Sequence, residues 1–114
     1  MASCIFCRIA SGEIQSKIAY SDSMIVAFHD ANPQAPCHIL LIPRKHVSSV
    51  RELSAGDDVV IGHIVRIAAQ LAEEQGIADG GFRLVANSGP DAGQSVDHVH
   101  FHLIGGRPMG WPPG

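Results

Sequence analysis

The chain has little of several things that mark specialised proteins. Cysteine is scarce: three residues in 114, an odd number. That argues against a disulfide scaffold and fits a reducing compartment, so the cytosol is the expected location. Charge is sparse as well, with Asp, Glu, Lys and Arg making up 17% of the chain and a net charge of −3. The eight Lys and Arg are scattered, and their tightest group is Arg44-Lys45. Nucleic acids need a basic face, so no nucleic-acid partner is expected. No apolar run approaches the ~20 residues that cross a bilayer, so no membrane partner is expected either. The opening Met1-Ala2-Ser3-Cys4 lacks the basic and then apolar stretches of a secretory signal.

What the chain does have is apolar bulk, 46% of its residues, and a length suited to one compact domain over 1–114. Ile5 to Ile9 reads as a short helical turn ending near Ser11-Gly12. Ile18 to Tyr20, Met24 to His29 and His38 to Ile42 read as strands, the last closed by Pro43. Asn32-Pro33-Gln34-Ala35-Pro36 is a stiff loop. One long helix is expected: Ser54 and Asp57 resemble a capping box, Val60, Ile64, Ile67 and Leu71 recur at helical spacing, and Gly76 stops it. Phe82 to Asn87 and His98 to Ile104 read as further strands around the loop Ser88 to Ser95. From Gly105 a Gly/Pro-rich tail carries the only tryptophan, Trp111. The connections among the first three strands are too short for parallel crossovers. The expected fold is therefore α+β: an antiparallel sheet of about five strands with one long and one short helix.

The most informative stretch is His98-Val99-His100-Phe101-His102-Leu103-Ile104. On a strand, alternate side chains share a face. Val99, Phe101 and Leu103 would then face a core while three imidazoles line the opposite surface. Neighbouring histidines would sit about 6.6 Å apart and the outer pair about 13 Å apart. Convergence of all three on one ion is hard at that spacing, since Zn–N bonds are only about 2.0–2.1 Å. A central reactive His100 with flanking supporters suits it better. Neutral imidazole attacks an electrophile without a separate base, provided its other ring nitrogen is held protonated. Just upstream, Asn87-Ser88-Gly89-Pro90-Asp91-Ala92-Gly93-Gln94-Ser95 is a glycine loop able to bring backbone N–H groups to an anion. Together they point to a phosphate beside a nucleophilic imidazole. His63, in mid-helix, is assigned no role, His29 reads as a satisfied strand residue, and Cys37 reads as a buried, inert thiol.

Cys4-Ile5-Phe6-Cys7 has the spacing of a zinc knuckle or a redox pair. No strand precedes it, as one would before a thioredoxin-like redox pair. Zinc would need two more ligands, with His46 and His98 the candidates; an unmetallated pair is the remaining reading. A closed four-ligand site of this kind would be structural.

These residues resemble a known family. The histidine stretch matches the His-φ-His-φ-His-φ-φ signature of the histidine-triad (HIT) nucleotide-binding proteins. Ala27-Phe28-His29-Asp30, Pro33-Gln34-Ala35-Pro36-Cys37-His38, Ile42-Pro43-Arg44-Lys45-His46, Gly93-Gln94-Ser95-Val96 and Trp111-Pro112-Pro113-Gly114 resemble its Hint branch. The resemblance implies one HIT domain over 1–114, with 1–10 a zinc-knuckle-like segment and 105–114 a tail, and a homodimer with one continuous ten-stranded sheet. It implies hydrolysis of nucleoside 5′-phosphoramidates, such as adenosine monophosphoramidate, through a nucleotidyl intermediate on His100. His38, His102 and Ser95 would support the chemistry. Asn87, Gly93, Gln94 and Ser95 would hold the phosphate, Asp30 the ribose, and Phe6, Ile9, Ile14, Phe28 and Leu40 the base. A structural zinc at Cys4, Cys7, His46 and His98 is implied, with no cofactor needed for the reaction itself. Asp97 stands where Hint relatives often carry an aromatic, and Trp111 resembles tails that reach the partner subunit. A dinucleoside polyphosphate hydrolase and a nucleotide-binding module with incidental catalysis are the other readings of the same residues.

Overall fold

The structure is a computed structural model that describes residues 4–114. Two runs of aliphatic residues set its centre. Strand β2 (Ile25–His29) and strand β3 (Cys37–Pro43) are buried along nearly their whole length, which requires cover on both faces. Strand β1 (Ile18–Ser21), strand β4 (Phe82–Ala86) and strand β5 (Phe101–Gly105) complete a five-stranded antiparallel sheet in the order β1-β2-β3-β5-β4. The expected α+β architecture is observed.

Strand parity divides the interior into two cores. Ile25, Ala27, Ile39, Leu41 and Leu103 point to one face and pack against Ile64, Ile67, Ala68, Leu71 and Ala72. Those last five belong to the long helix α2 (Asp58–Glu74). Val26, Phe28, Leu40 and Ile42 point to the other face and meet Phe6 of the short helix α1 (Ile5–Ala10). Leu40 lies opposite His102, and Ile39 opposite Leu103, across the β3–β5 ladder. The histidine of β5 is thereby placed on the α1 face.

The α2 boundaries follow their capping chemistry. A 3₁₀ turn, Ala55–Asp57, leads into the helix, and the Asp57 carboxylate accepts from the Ser54 N–H at 2.9 Å and from Lys45 Nζ at 2.8 Å. At the far end Gly76 takes φ of +74°, and the Ile77 N–H reaches back to the Ala72 carbonyl at 2.9 Å, a Schellman closure. Ile77 then packs so closely on Gly105 that a Cβ there would lie 2.7 Å from Ile77 Cδ1. His63, assigned no role above, ties α2 to the β1–β2 turn: its Nε2–H donates to Asp22 Oδ2 at 2.6 Å. Burial alone would raise Asp22; donors from His63, the Ile25 N–H, Tyr20 and the Met24 N–H outweigh it and hold the carboxyl well below its ordinary range.

One expectation needs correction. The last strand begins at Phe101, not at His98. His98, Val99 and His100 form an irregular approach whose amides go elsewhere: the Val99 N–H donates to the Val47 carbonyl at 2.7 Å and the His98 N–H to the Val96 carbonyl. The three imidazoles accordingly do not share one exposed surface; His98 is 0% and His100 3% exposed.

Candidate functional site

Two histidine assemblies result. In the first, helix α1 opens with Cys4, whose Sγ accepts from the Cys7 N–H at 3.4 Å. His98 Nδ1 lies 3.4 Å from Cys4 Sγ, 3.5 Å from Cys7 Sγ and 3.2 Å from His46 Nδ1, and Cys7 Sγ lies 3.4 Å from His46 Nδ1. A tetrahedral zinc with Zn–S of about 2.3 Å and Zn–N of about 2.0–2.1 Å would set S···N edges near 3.5 Å and N···N edges near 3.3 Å. The protonation pattern agrees with a cation. His98 Nε2–H donates to the Pro43 carbonyl at 2.8 Å, which leaves a bare lone pair on Nδ1 facing His46 Nδ1. Burial, then the hydrogen bond and charge of Cys4, push the Cys7 thiol above its ordinary value. Two thiols and the His98 lone pair converge here with His46 Nδ1. These four donors, within 4.8 Å of one another, can hold a metal ion.

The second assembly is a relay on the sheet face. The Gln34 N–H donates to His38 Nδ1 at 3.0 Å, so His38 carries its proton on Nε2. That proton points at His102 Nδ1, 2.9 Å away, which places the His102 proton on Nε2 in turn. His102 Nε2 is buried and has no hydrogen-bond partner among the described residues. It is a donor held ready. Burial first, then the charges of His100 and His38, pull the His102 pKa down to about 4, with Asp30 opposing; burial lowers His38 too, again against Asp30. Both are neutral at pH 7. Asp30 Oδ2 lies 3.4 Å from His38 Nε2, so Asp30, His38 and His102 also form a compact donor cluster. The Gln34 N–H argues against a metal there, because His38 cannot bare Nε2 without placing a proton on Nδ1 against that amide.

His100 stands between the assemblies. Its Nδ1–H donates to the His98 carbonyl at 2.7 Å. Nε2 is then the unprotonated nitrogen, and no group among the described residues is bonded to it. The His100 ring meets Phe6 edge-on at 5.0 Å and His102 at 5.1 Å between centroids. Phe6, Phe28 and Leu40 share one apolar cluster, with Ile9 packed against it; Ile14 is half-buried outside that cluster.

The glycine loop is shaped by Gly89 and Gly93, both at positive φ (88° and 84°). Gln94, expected at the phosphate, braces this loop: its Oε1 accepts from the Gly89 N–H at 2.9 Å and its Nε2 donates to the Ser48 and Val96 carbonyls. Its side chain therefore acts through loop shape. Ser95 and Asp97 are exposed. Asn87 lines a groove of about 220 Å³ with Gln34, His38, Val85, His102 and Ile104. The groups that residue-type reasoning missed are main-chain ones: the Gln34 N–H and the carbonyls of Pro43 and His98. No side-chain pattern announces them.

These features define a class: an α+β protein with tautomer-locked imidazoles on its last strand and in the segment that joins a glycine loop to that strand. The HIT domain profile matches residues 11–109. A purine nucleoside phosphoramidase of Escherichia coli (strain K12) is 45% identical over 106 residues, 93% of this chain and 89% of that protein. An uncharacterised HIT-like protein of Synechocystis sp. is 46% identical over 110 residues, 96% of each chain. Among solved structures, a HIT family hydrolase from Legionella pneumophila superposes with a TM-score of 0.96 at 44% identity, covering 98% of this chain and all of that one (100%). The chain belongs to the HIT family.

Proposed function

We propose that this protein hydrolyses nucleoside 5′-phosphoramidates of the adenosine monophosphoramidate type. The observation that carries the reading is the lock on His100: a main-chain carbonyl holds the Nδ1 proton, which leaves the lone pair on Nε2. His100 Nε2 attacks the α-phosphorus and forms a P–N bond. The original P–N bond to the amine breaks, and the departing nitrogen takes a proton from solvent, which is given back when water loses one in the second step. The unpartnered Nε2–H of His102 supplies a hydrogen bond to the phosphoryl group or the leaving nitrogen. Water then cleaves the nucleotidyl-histidine to give the monophosphate and free His100. One difficult displacement is thereby split into two easier ones.

The surroundings fit a purine nucleotide. Phe6, Ile9, Phe28 and Leu40 offer an apolar slot for the base, with Ile14 at its margin, and Asp30 offers a carboxylate to the ribose diol. Asn87, Gly93 and Ser95 serve the phosphate, and Gln94 shapes the loop that presents it. His38 holds His102 in its donor tautomer. Cys4, Cys7, His46 and His98 would hold zinc, which when bound clamps α1 to the start of the histidine segment. The working form we propose is a cytosolic homodimer in which strand β4, the sheet edge that carries exposed Phe82, pairs with its partner to give ten strands. Light scattering should then give twice the 12.1 kDa chain mass; a monomer at working concentration would remove this part.

The test is His100→Asn assayed on adenosine and guanosine phosphoramidates and on a diadenosine polyphosphate. Wild type should turn over the phosphoramidates fastest and, in a quenched burst, carry a nucleotidyl mass adduct on His100. The variant should lose at least about a thousandfold in kcat and keep its fold. Undiminished turnover by the variant would overturn the reading. Faster turnover of the polyphosphate would move the protein to the dinucleoside hydrolase class. AMP binding without turnover of either would make it a binding module.

A further inference from the structure

The Cys/His cluster and the reactive imidazole are joined by shared atoms. His98 has three attachments. Its Nδ1 faces Cys4, Cys7 and His46; its Nε2–H donates to the Pro43 carbonyl; and its own carbonyl accepts the Nδ1–H of His100. That carbonyl is not aimed by a sheet ladder, because β5 begins only at Phe101. The same planar peptide's Val99 N–H donates to the carbonyl of Val47, the residue after His46, at 2.7 Å, so the side-chain attachments of a wholly buried His98 and the backbone next to His46 together set its direction. A second path runs through Phe6, which lies between the two cysteines in sequence. Its ring meets His98 at 6.0 Å, His100 at 5.0 Å and Phe28 at 5.5 Å between centroids, edge-on each time. Helix α1 is only six residues long, too short to hold itself in water. At its C-terminal end it is held by Ile9 packing and by Arg44 Nη1–H donating to the Ala10 carbonyl at 2.8 Å; at its N-terminal end it rests on the packing of Phe6 and on what fastens Cys4 and Cys7. Both the hydrogen-bond partner and the apolar wall of His100 thus hang from the same four ligands.

We propose that this cluster, with a divalent metal bound, is a positioning site for His100: metal occupancy fixes the His100 tautomer and the nucleotide affinity, and does more than hold the fold together. His98 and Phe6 are the positioning residues. The inference rests on the hydrolase reading only for the identity of the nucleotide; its readouts are binding and spectroscopic.

The experiment uses the full chain loaded with zinc, stripped with a chelator, and reloaded, all at one fixed pH. AMP affinity is measured by calorimetry, and the imidazole nitrogens of His100 by ¹⁵N NMR, assigned with His100→Asn. Loaded protein should show one His100 tautomer, protonated at Nδ1. Stripped protein should show averaging between tautomers and bind AMP about tenfold more weakly, a loss typical of removing a group that orients a functional residue. Zinc should restore both, and cobalt should report thiolate ligation by its absorption. Cys4→Ser/Cys7→Ser should reproduce the stripped state and not respond to zinc. If that double variant does not fold, His46→Ala, which keeps three ligands, should show an intermediate shift in both readouts. Ile67→Val, in the core on the opposite face, serves as the control that loses stability without touching the cluster. The proposal is overturned if stripped, folded protein keeps the loaded tautomer and affinity, or if Ile67→Val moves them equally. Failure of loaded wild type to bind AMP would instead overturn the hydrolase reading.

Discussion

Each histidine on the α1 face has its protons assigned by a neighbour, and the assignments run in one direction. The Gln34 N–H forces the His38 proton to Nε2; His38 forces the His102 proton to Nε2; a carbonyl forces the His100 proton to Nδ1. The outcome is one bare nitrogen and one bare N–H, on adjacent rings 5.1 Å apart. A bare ring nitrogen and a bare N–H thus stand on neighbouring rings, the pair that the proposed displacement calls for. Replacing His38 tests this at the level of a single proton. His38→Asn removes the Nε2–H that fixes His102 and frees that ring to take either tautomer. Steady-state kinetics on adenosine phosphoramidate should show kcat down about a hundredfold, in the range of a lost proton-transfer or donor group. KM should move far less, since the base slot is untouched. A purely proportional rise in KM with kcat unchanged would place His38 in binding and not in the relay.

Strand β5 positions His102, and β5 is seated by a glycine. Gly105 lies under Ile77, the residue that closes the Schellman turn of α2, and its partner across β3 is Cys37. Gly105→Ala would drive a methyl to 2.7 Å from Ile77 Cδ1. Overpacking of that degree costs about 1–3 kcal/mol, or roughly 5–15 °C in midpoint for a chain of this size, readable in a thermal melt. A change within a degree would mean that Ile77 yields freely. This element also shows which parts of the molecule were legible beforehand. The apolar runs of β2 and β3, the Ser54–Asp57 cap and the Gly76 stop are local, so residue pattern located them closely. The histidine stretch has perfect period-two alternation, yet only its second half is a strand. The alternation rule has no access to a Val99 amide that pairs with Val47 in a loop some fifty residues earlier. The donor set Cys4, Cys7, His46 and His98 was readable because metal-ligating side chains are chemically distinctive. The tautomer locks were not, because main-chain amides and carbonyls are the same at every position.

Taken as a whole, the two sides of the sheet each hold titratable groups away from their ordinary values. The α2 face holds Asp22 as a carboxylate under His63, Tyr20 and two backbone amides; the α1 face holds His38, His98 and His102 neutral by burial. Both arrangements respond to acid in the same direction. An unfolded histidine takes up a proton near pH 6.5, whereas folded His102 does so only near pH 4. Between those values the unfolded chain binds more protons, so stability rises with pH across that window and is lost as pH falls through it. Above about pH 6.5 both states are neutral at this residue and its contribution is constant. Asp22, with its folded carboxyl held low, adds a loss of the same sign at still lower pH. The melting midpoint should therefore fall from pH 7 to pH 4.5, with His102 accounting for about 5 °C of the drop, the equivalent of roughly 1 kcal/mol after allowance for its partial exposure. The check is a pair of melting series, wild type and His102→Asn, at pH 7, 6, 5 and 4.5 in the same metal-loaded state. The variant should start lower at pH 7 and lose less on acidification, so that the two curves converge. Parallel curves would show that His102 titrates alike in both states, and the neutral face of the sheet would then owe its character to the other histidines.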